Sequence, residues 1–248
     1  TATEGTDYTD GSGSIDDIVI SAGSTTGTVS FTPTDDSIYD ATSNETATIA
    51  VSGVSGGSAT ESGSQSVTIT ITDNESAPTV TLSRSAAAID EDSSSTVTIT
   101  ATLSNGTYQD VTVSIDGTGG TGTEGTDFGT VSDITISAGS TTGTATVDPT
   151  DDSVYEGDET AGISISGVSG GSATESGSQS VTVTITENES APTVTLTVSA
   201  TSIAENAGSS LTLTATLSGA VDETVTVGID TGGTSTEGTD YTDGSGNV

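Results

Sequence analysis

The sequence of 248 residues contains no cysteine and no histidine. Disulfide bonds and zinc–thiolate sites are therefore excluded. Catalysis by a cysteine nucleophile or a histidine base is excluded as well. Serine is abundant, but no serine has a plausible base beside it. Paired carboxylates can hydrolyse glycosides, yet the sequence offers no aromatic platform for a sugar. We therefore expect a protein that is not an enzyme.

Positive charge is almost absent, since Arg84 is the single basic residue against 36 acidic ones and the net charge is −35. A nucleic-acid surface needs lysine or arginine for phosphate, and an anionic membrane also attracts basic residues. No apolar run reaches the length of a membrane span. We therefore expect no nucleic-acid partner and no membrane insertion, and the natural partners of this chain are cations and water.

Hydrophobic residues are scarce at 29%, and with this charge such a composition usually indicates disorder. The apolar residues nevertheless alternate with threonine and serine, a pattern typical of strands with one buried face. The alternating sets of one repeat are Val80/Leu82, Val97/Ile99/Ala101/Leu103, Val111/Val113/Ile115, Ile134/Ile136, Ala145/Val147, Ile163/Ile165 and Val181/Val183/Ile185. The pattern predicts an all-β chain of tandem Ig-like antiparallel β-sandwiches, with about seven strands per repeat, arranged end to end.

Internal repetition divides the chain. The stretch Thr60–Leu82 recurs almost unchanged at Thr174–Leu196, 114 residues later. The sequence therefore predicts the C-terminal part of a first repeat at 1–77, a complete central repeat at 78–191 and the N-terminal part of a third repeat at 192–248. We expect this to be a stretch of a longer array.

Acidic residues recur in four groups, all at predicted strand ends. Calcium prefers six to eight hard oxygen ligands, which carboxylates from several converging loops could supply. The alternative is that each acid merely caps a turn. The candidate ligands are Glu91 and Glu205; Asp7, Asp127 and Asp240, each before an aromatic residue; Asp35, Asp36 and Asp40 with Asp151, Asp152 and Glu156; and Asp73 and Glu75 with Glu187 and Glu189.

The order of these motifs, from Glu91 through Gly-Thr-Asp-Phe and Asp-Asp-x-x-Tyr-Glu to Glu-Asn-Glu, resembles the Calx-β domain. The resemblance covers the whole chain and implies tandem repeats of a bacterial-type extracellular surface or adhesin protein. It also implies a cluster of calcium ions at one end of the sandwich, beside the next domain. The ligands it implies are Glu91, Asp127, Asp151, Asp152, Glu156, Glu187 and Glu189 in the central repeat, and Asp7, Asp35, Asp36, Asp40, Asp73 and Glu75 in the first. The third repeat has only Glu205 and Asp240 of the set, and Asn74 and Asn188 interrupt the last acidic run.

Short junctions join the repeats, and Pro78 and Pro192 restrict the residue before each of them to extended conformations. With calcium beside such a junction, successive sandwiches form a stiff rod. The sequence thus favours a structural segment of an extracellular, calcium-stabilised fibre, adhesin stalk or matrix filament, in contact with neighbouring repeats of the same or identical chains. One alternative is a calcium-dependent module that recognises a glycan or protein ligand, for which Tyr108 is the one plausible exposed aromatic. The other is a spacer region of a large secreted enzyme.

Overall fold

The computed structural model describes residues 2–40 and 44–242. Residues 1, 41–43 and 243–248, which belong to the predicted first and third repeats, lie outside the described part. All regular elements of the described residues are β-strands, so none of them forms a helix that could cross a membrane. The predicted all-β sandwich class is therefore confirmed.

The first segment of the chain contains two antiparallel pairs. Its strands are β1 (Tyr8–Thr9), β2 (Thr32–Pro33), β3 (Ile38–Tyr39), β4 (Glu45–Ala50) and β5 (Ser66–Ile71). Strand β1 pairs with β2, and β4 pairs with β5 over six residues. Because these hairpins have no opposing sheet among the described residues, apolar side chains such as Val67 are exposed.

The central sandwich follows, and its strands are β6 (Thr79–Arg84), β7 (Ala88–Asp90), β8 (Val97–Leu103), β9 (Gly106–Thr107), β10 (Val111–Gly120), β11 (Ile134–Ile136), β12 (Thr142–Val147), β13 (Val154–Tyr155), β14 (Glu159–Ser169), β15 (Thr174–Glu175) and β16 (Ser180–Thr186). One sheet has the order β11-β10-β14-β16-β7 and the other the order β12-β8-β6-β15. Neighbours are antiparallel except for the parallel pairs β16–β7 and β15–β6.

The core of the central sandwich lies between these two sheets and is almost entirely aliphatic. Val97, Ile99, Ala101 and Leu103 on β8 are all buried, while the threonines between them are partly exposed. The same alternation buries Ile163 on β14 and the corresponding faces of the other long strands. Each buried branched side chain contributes roughly 1.5–3 kcal/mol of transfer free energy, and Phe128 is the large aromatic that this thin core buries among the described residues.

All seven alternating segments of the predicted repeat are strands in the central sandwich. Two further strands complete its sheets. The first strand switches sheets between β6 and β7, and β15 adds a short parallel edge beside β6. The side chain of Arg84 stabilises the switch, because its guanidinium donates hydrogen bonds to the backbone carbonyls of Ala87 and Thr182.

The last segment consists of β17 (Val194–Val198), β18 (Leu213–Leu217) and β19 (Ala220–Val221). Strands β17 and β18 form an antiparallel hairpin equivalent to β6 and β8 of the central sandwich. Leu196 is 54% exposed here, because the described residues of this segment provide no second sheet.

Two parallel ladders connect consecutive segments. Strand β3 of the first segment pairs with β9 of the central sandwich, and β13 of the central sandwich pairs with β19 of the last segment. Each ladder joins the loop that carries the Asp-Asp motif to the following segment. The two junctions therefore have the same backbone construction.

Candidate metal centre

Three glutamates meet at one end of the central sandwich. Strand β7 pairs with β16 so that Asp90 is opposite Thr186, and the backbone N–H of Glu91 donates to the Thr186 carbonyl at 3.0 Å. This register places Glu91 beside Glu187, the residue that follows β16. With Glu189 they form the first acid group, in which one oxygen of each carboxylate lies within 4.8 Å of the others.

The protonation equilibria of the first acid group are strongly shifted. Burial, followed by the charge of Glu187, raises the pKa of Glu91 to about 7. Burial alone would raise the pKa of Glu187, but N–H donors from Glu156, Glu189 and Gly157 outweigh it and lower this pKa to about 2. Its hydrogen bond to Glu187 raises the pKa of Glu189. The group therefore holds one fixed negative charge and two carboxyls that resist ionisation without a counter-ion.

The first acid group has no positively charged partner. Glu91 is only 7% exposed, and Glu189 Oε2 is buried without a hydrogen bond. Arg84, the single basic residue of the sequence, bonds to backbone carbonyls instead. A buried carboxylate is costly unless it is paired or binds a metal, so the donor set fits a cation.

A second acid group consists of Asp127, Glu156 and Glu159, again with one oxygen of each within 4.8 Å of the others. Asp127 is fixed from both sides: Phe128 is fully buried in the core, and the backbone N–H of Thr123 donates to Asp127 Oδ2 at 2.5 Å. Burial, and then the charge of Asp127, raises the pKa of Glu159 to about 7. Burial also raises the pKa of Glu156.

The Asp151–Asp152 loop lies between the two acid groups. Asn188 donates a side-chain hydrogen bond to Asp151 Oδ1 at 3.0 Å, and the backbone N–H of Asp152 donates to Glu91. The backbone N–H of Glu156 donates to Glu187 Oε2 at 2.6 Å. The structure thus brings all seven acids predicted for the central repeat to one end of the sandwich.

The first segment has a related arrangement. Its six predicted acids line one groove of about 210 Å³ together with Glu45 and Tyr108; they are Asp7, Asp35, Asp36, Asp40, Asp73 and Glu75. The backbone N–H of Asp40 donates to Asp73 Oδ2 at 3.1 Å, as that of Glu156 does to Glu187. Within the ranges that the structure describes, however, no three of these acids are as close together as those of the central groups.

The two predicted acids of the third repeat are not brought together. Glu205 and Asp240 are both exposed, and Asp240 accepts a hydrogen bond of 2.8 Å from the backbone N–H of Thr236. Neither belongs to a group of three acids among residues 2–40 and 44–242. For Asp240, turn capping is what the local geometry shows.

The candidate ligands predicted from the sequence do not include Glu159, which the structure places at the start of β14. The sequence does contain a pattern that could have identified this residue, because Glu-Thr-Ala-x-Ile recurs at Glu45 and Glu159, 114 residues apart. The role of Asn188 was also missed, since it was treated only as a weakened acid. In the structure its amide joins the end of β16 to Asp151.

Both acid groups offer only oxygen atoms as metal ligands. Carboxylate and carbonyl oxygens are hard ligands that suit calcium, magnesium or manganese, whereas copper and zinc prefer imidazole or thiolate ligands. Several anionic oxygens held by loops of different length favour the larger and more variable coordination shell of calcium over the strict octahedron of magnesium.

Comparison with known proteins shows a family match. The model of the Calx-beta domain family matches residues 1–75, 73–189 and 187–248. The search of the curated proteins found no match. Among solved structures, the apo-form CBD1 domain of Calx is similar with a TM-score of 0.37 and 19% sequence identity, over 45% of this chain and 99% of that one.

Proposed function

Since this chain belongs to the Calx-β family, whose domains bind calcium, we propose that its acid groups are calcium sites that hold successive sandwiches end to end. The chain then acts as a structural segment of an extracellular fibre, adhesin stalk or matrix filament. The proposed repeats are 1–77, 78–191 and 192–248. Calcium supplies the positive charge that the sequence almost lacks.

One observation carries the proposal. Glu91, buried at 7% exposure, faces Glu187 and Glu189, and one oxygen of Glu189 is buried without a hydrogen bond. Backbone N–H groups donate to Glu91 and to Glu187, but none reaches Glu189 Oε2, so turn capping accounts for only part of this arrangement. A divalent cation at this place satisfies the buried oxygens and offsets the repulsion among the three carboxylates.

The proposed ligands follow from the two acid groups. In the central repeat, Glu91, Glu187 and Glu189 would hold one ion and Asp127 and Glu156 would hold another, with Glu159 added to the second group. Asp151 and Asp152 lie between the groups and would contribute to either. The groove of the first segment would supply Asp7, Asp35, Asp36, Asp40, Asp73 and Glu75. Glu205 and Asp240 would belong to a site that needs residues beyond the described part.

Position supports a stiffening role. The acid groups lie next to the ladder between β13 and β19, and only a few residues separate the end of β16 from the start of β17. A cation that binds here restrains the loop carrying the ladder and the end of the last strand together. Extracellular modules use calcium affinities in the range of roughly 10⁻⁴–10⁻³ M, which suits a surface protein that is stiff only outside the cell.

Tyr108, the aromatic on which the alternative of a ligand-recognition module depends, is 53% exposed. Its hydroxyl donates a hydrogen bond of 2.9 Å to Asp36 Oδ2 of the preceding segment. The side chain is thus engaged at a junction between segments. A spacer in a larger secreted protein would use the same calcium-stiffened junctions.

The test is a thermal melt of the full chain in calcium, in magnesium and in chelator at one ionic strength. We expect a rise in Tm that calcium produces and magnesium does not, because only the folded state presents the acid groups. Small-angle X-ray scattering should show a longer maximum dimension in calcium than in chelator. Equal Tm values in all three buffers would contradict the proposal.

A further inference from the structure

The residue that follows each inter-segment ladder differs between the two junctions. In the first junction β9 ends at Thr107 and the next residue is Tyr108, whereas in the second junction β19 ends at Val221 and the next residue is Asp222. Tyr108 and Asp222 are 114 residues apart and thus occupy the same place in the repeat. A neutral hydroxyl at one junction is replaced by a carboxylate at the other.

Asp222 lies beside the second acid group. In the parallel ladder Tyr155 is opposite Val221, so the chain runs on to Glu156 on one side and to Asp222 on the other. The charge of Asp222 also acts on both Glu156 and Glu159. The last segment therefore brings a fourth acid next to Glu156 along the ladder, outside the set of three whose oxygens lie within 4.8 Å of one another.

Tyr108 occupies the corresponding place against the first segment. It lines the acidic groove there, and its hydroxyl donates to Asp36 Oδ2 at 2.9 Å. The first junction thus has a direct hydrogen bond between segments that needs no cation. At the second junction the equivalent residue is Asp222, and its negative charge repels the three acids of the second acid group.

A separate observation also indicates that the second junction needs a cation, and it comes from the adjoining first acid group. There Glu91 is nine-tenths buried without a positive partner, and Glu189 Oε2 is buried without a hydrogen bond. The two groups are continuous, because Glu156 N–H donates to Glu187 Oε2. An ion is therefore indicated at this end of the sandwich by more than the number of acids.

We propose that the second acid group is a composite calcium site, in which the following segment supplies Asp222 to Asp127, Glu156 and Glu159. This inference rests on the proposed calcium function. A further segment is then required for full affinity, and the residue after the ladder decides whether that segment contributes a ligand. At the first junction Tyr108 contributes a hydrogen bond to Asp36 in place of a ligand, whereas at the second junction Asp222 contributes a carboxylate to the ion.

The experiment is a calorimetric calcium titration of the full chain and of four variants. Asp222→Asn and Asp222→Tyr remove the carboxylate, Tyr108→Asp introduces one at the first junction, and Glu223→Gln is the matched control on the neighbouring exposed acid. We expect both Asp222 variants to weaken one class of sites by about tenfold or more, the effect typical of losing one contact of a metal site. Glu223→Gln should titrate like the unaltered chain, and Tyr108→Asp should strengthen binding at the first junction.

A second readout reports on the junction itself. A donor–acceptor fluorophore pair across the second junction should show a calcium-dependent distance distribution that Asp222→Tyr makes insensitive to calcium. An unaltered chain that binds no calcium would overturn the proposed function and this inference together. Calcium binding that is the same in Asp222→Asn as in the unaltered chain would overturn the composite site alone.

Discussion

The side-chain amide of Asn188 donates a hydrogen bond of 3.0 Å to Asp151 Oδ1, and Asn74 makes the same bond to Asp35 at 3.1 Å. Each asparagine stands between two acids at the end of a last strand. A third acid at this place would be a further acceptor, whereas the amide is a donor. The asparagine thus joins the end of the strand to the Asp-Asp loop.

Replacement of Asn188 by alanine should lower the free energy of unfolding in chelator by about 0.5–1.5 kcal/mol, the net contribution of one hydrogen bond. Asn188→Asp should cost more in chelator, because it also adds a charge next to Asp151, and it should gain more from calcium. Urea unfolding in the two buffers measures both effects. Asn206→Ala, on an exposed turn, is the control and should change neither value.

Neutralisation of Glu91 should have opposite effects with and without calcium. In chelator, Glu91→Gln removes a buried charge next to Glu187 and should raise Tm. In calcium, the same variant loses a ligand, and calcium affinity should fall by about tenfold or more. Asp92→Asn, one residue further and exposed, should leave calcium affinity unchanged. A Tm of Glu91→Gln that is lower than that of the unaltered chain in chelator would contradict the account.

The calcium-free protein should lose stability as pH rises toward neutrality. The pKa of Glu91 and of Glu159 rises from 4.5 to about 7 on folding. The folded state therefore binds more protons than the unfolded state in this window, and stability falls with increasing pH through about 7. Glu187 has the opposite effect on stability. Its folded pKa of about 2 lies below 4.5, so its ionised form stabilises the folded state above about pH 4.5 and this contribution is lost only in acid.

Thermal melts in calcium-free buffer between about pH 4.5 and 8 measure this slope. Calcium should abolish it, because bound ions require the ionised carboxylates. The double variant Glu91→Gln, Glu159→Gln distinguishes the contribution of these two residues from the general repulsion among the acids. Its Tm should depend less on pH than that of the unaltered chain. A double variant with the slope of the unaltered chain would show that other acids cause it.

Truncation of Phe128 should destabilise the central sandwich and disturb the second acid group together. Phe128 is fully buried directly after Asp127. Phe128→Ala should cost about 3–5 kcal/mol, as is usual for a large buried side chain. Tyr241 occupies the same place in the last segment but is 37% exposed, so Tyr241→Ala should cost clearly less. Chemical unfolding followed by a calcium titration checks both effects.

The long strands could be predicted from the sequence because burial of one face imposes alternation on every one of them, as on β8 with Val97 and Ile99. The short strands β9, β13 and β15 left no such pattern. Each has two residues, and its existence depends on a partner far away in the chain. The two ladders between segments were therefore not predicted, although the short junctions were.

The acidic motifs located the candidate site because they recur at fixed places, yet they did not divide it into two groups. That division depends on the sheet switch, which brings Glu91 to Glu187, and on the strand position of Glu159. Asp222 belongs to no repeated motif, since its counterpart is Tyr108. Its place beside Glu156 follows only from the ladder between β13 and β19.

The two ladders between segments have a geometric consequence for any longer chain of such repeats. Both junctions pair the same strands in the same direction, so an array that kept this pairing at every junction would repeat one rotation and one translation from sandwich to sandwich. Repetition of a single screw operation generates a superhelix, whose pitch and handedness are set at the junction. Additional repeats would extend this superhelix, and a substitution after one ladder would change its twist at that turn alone.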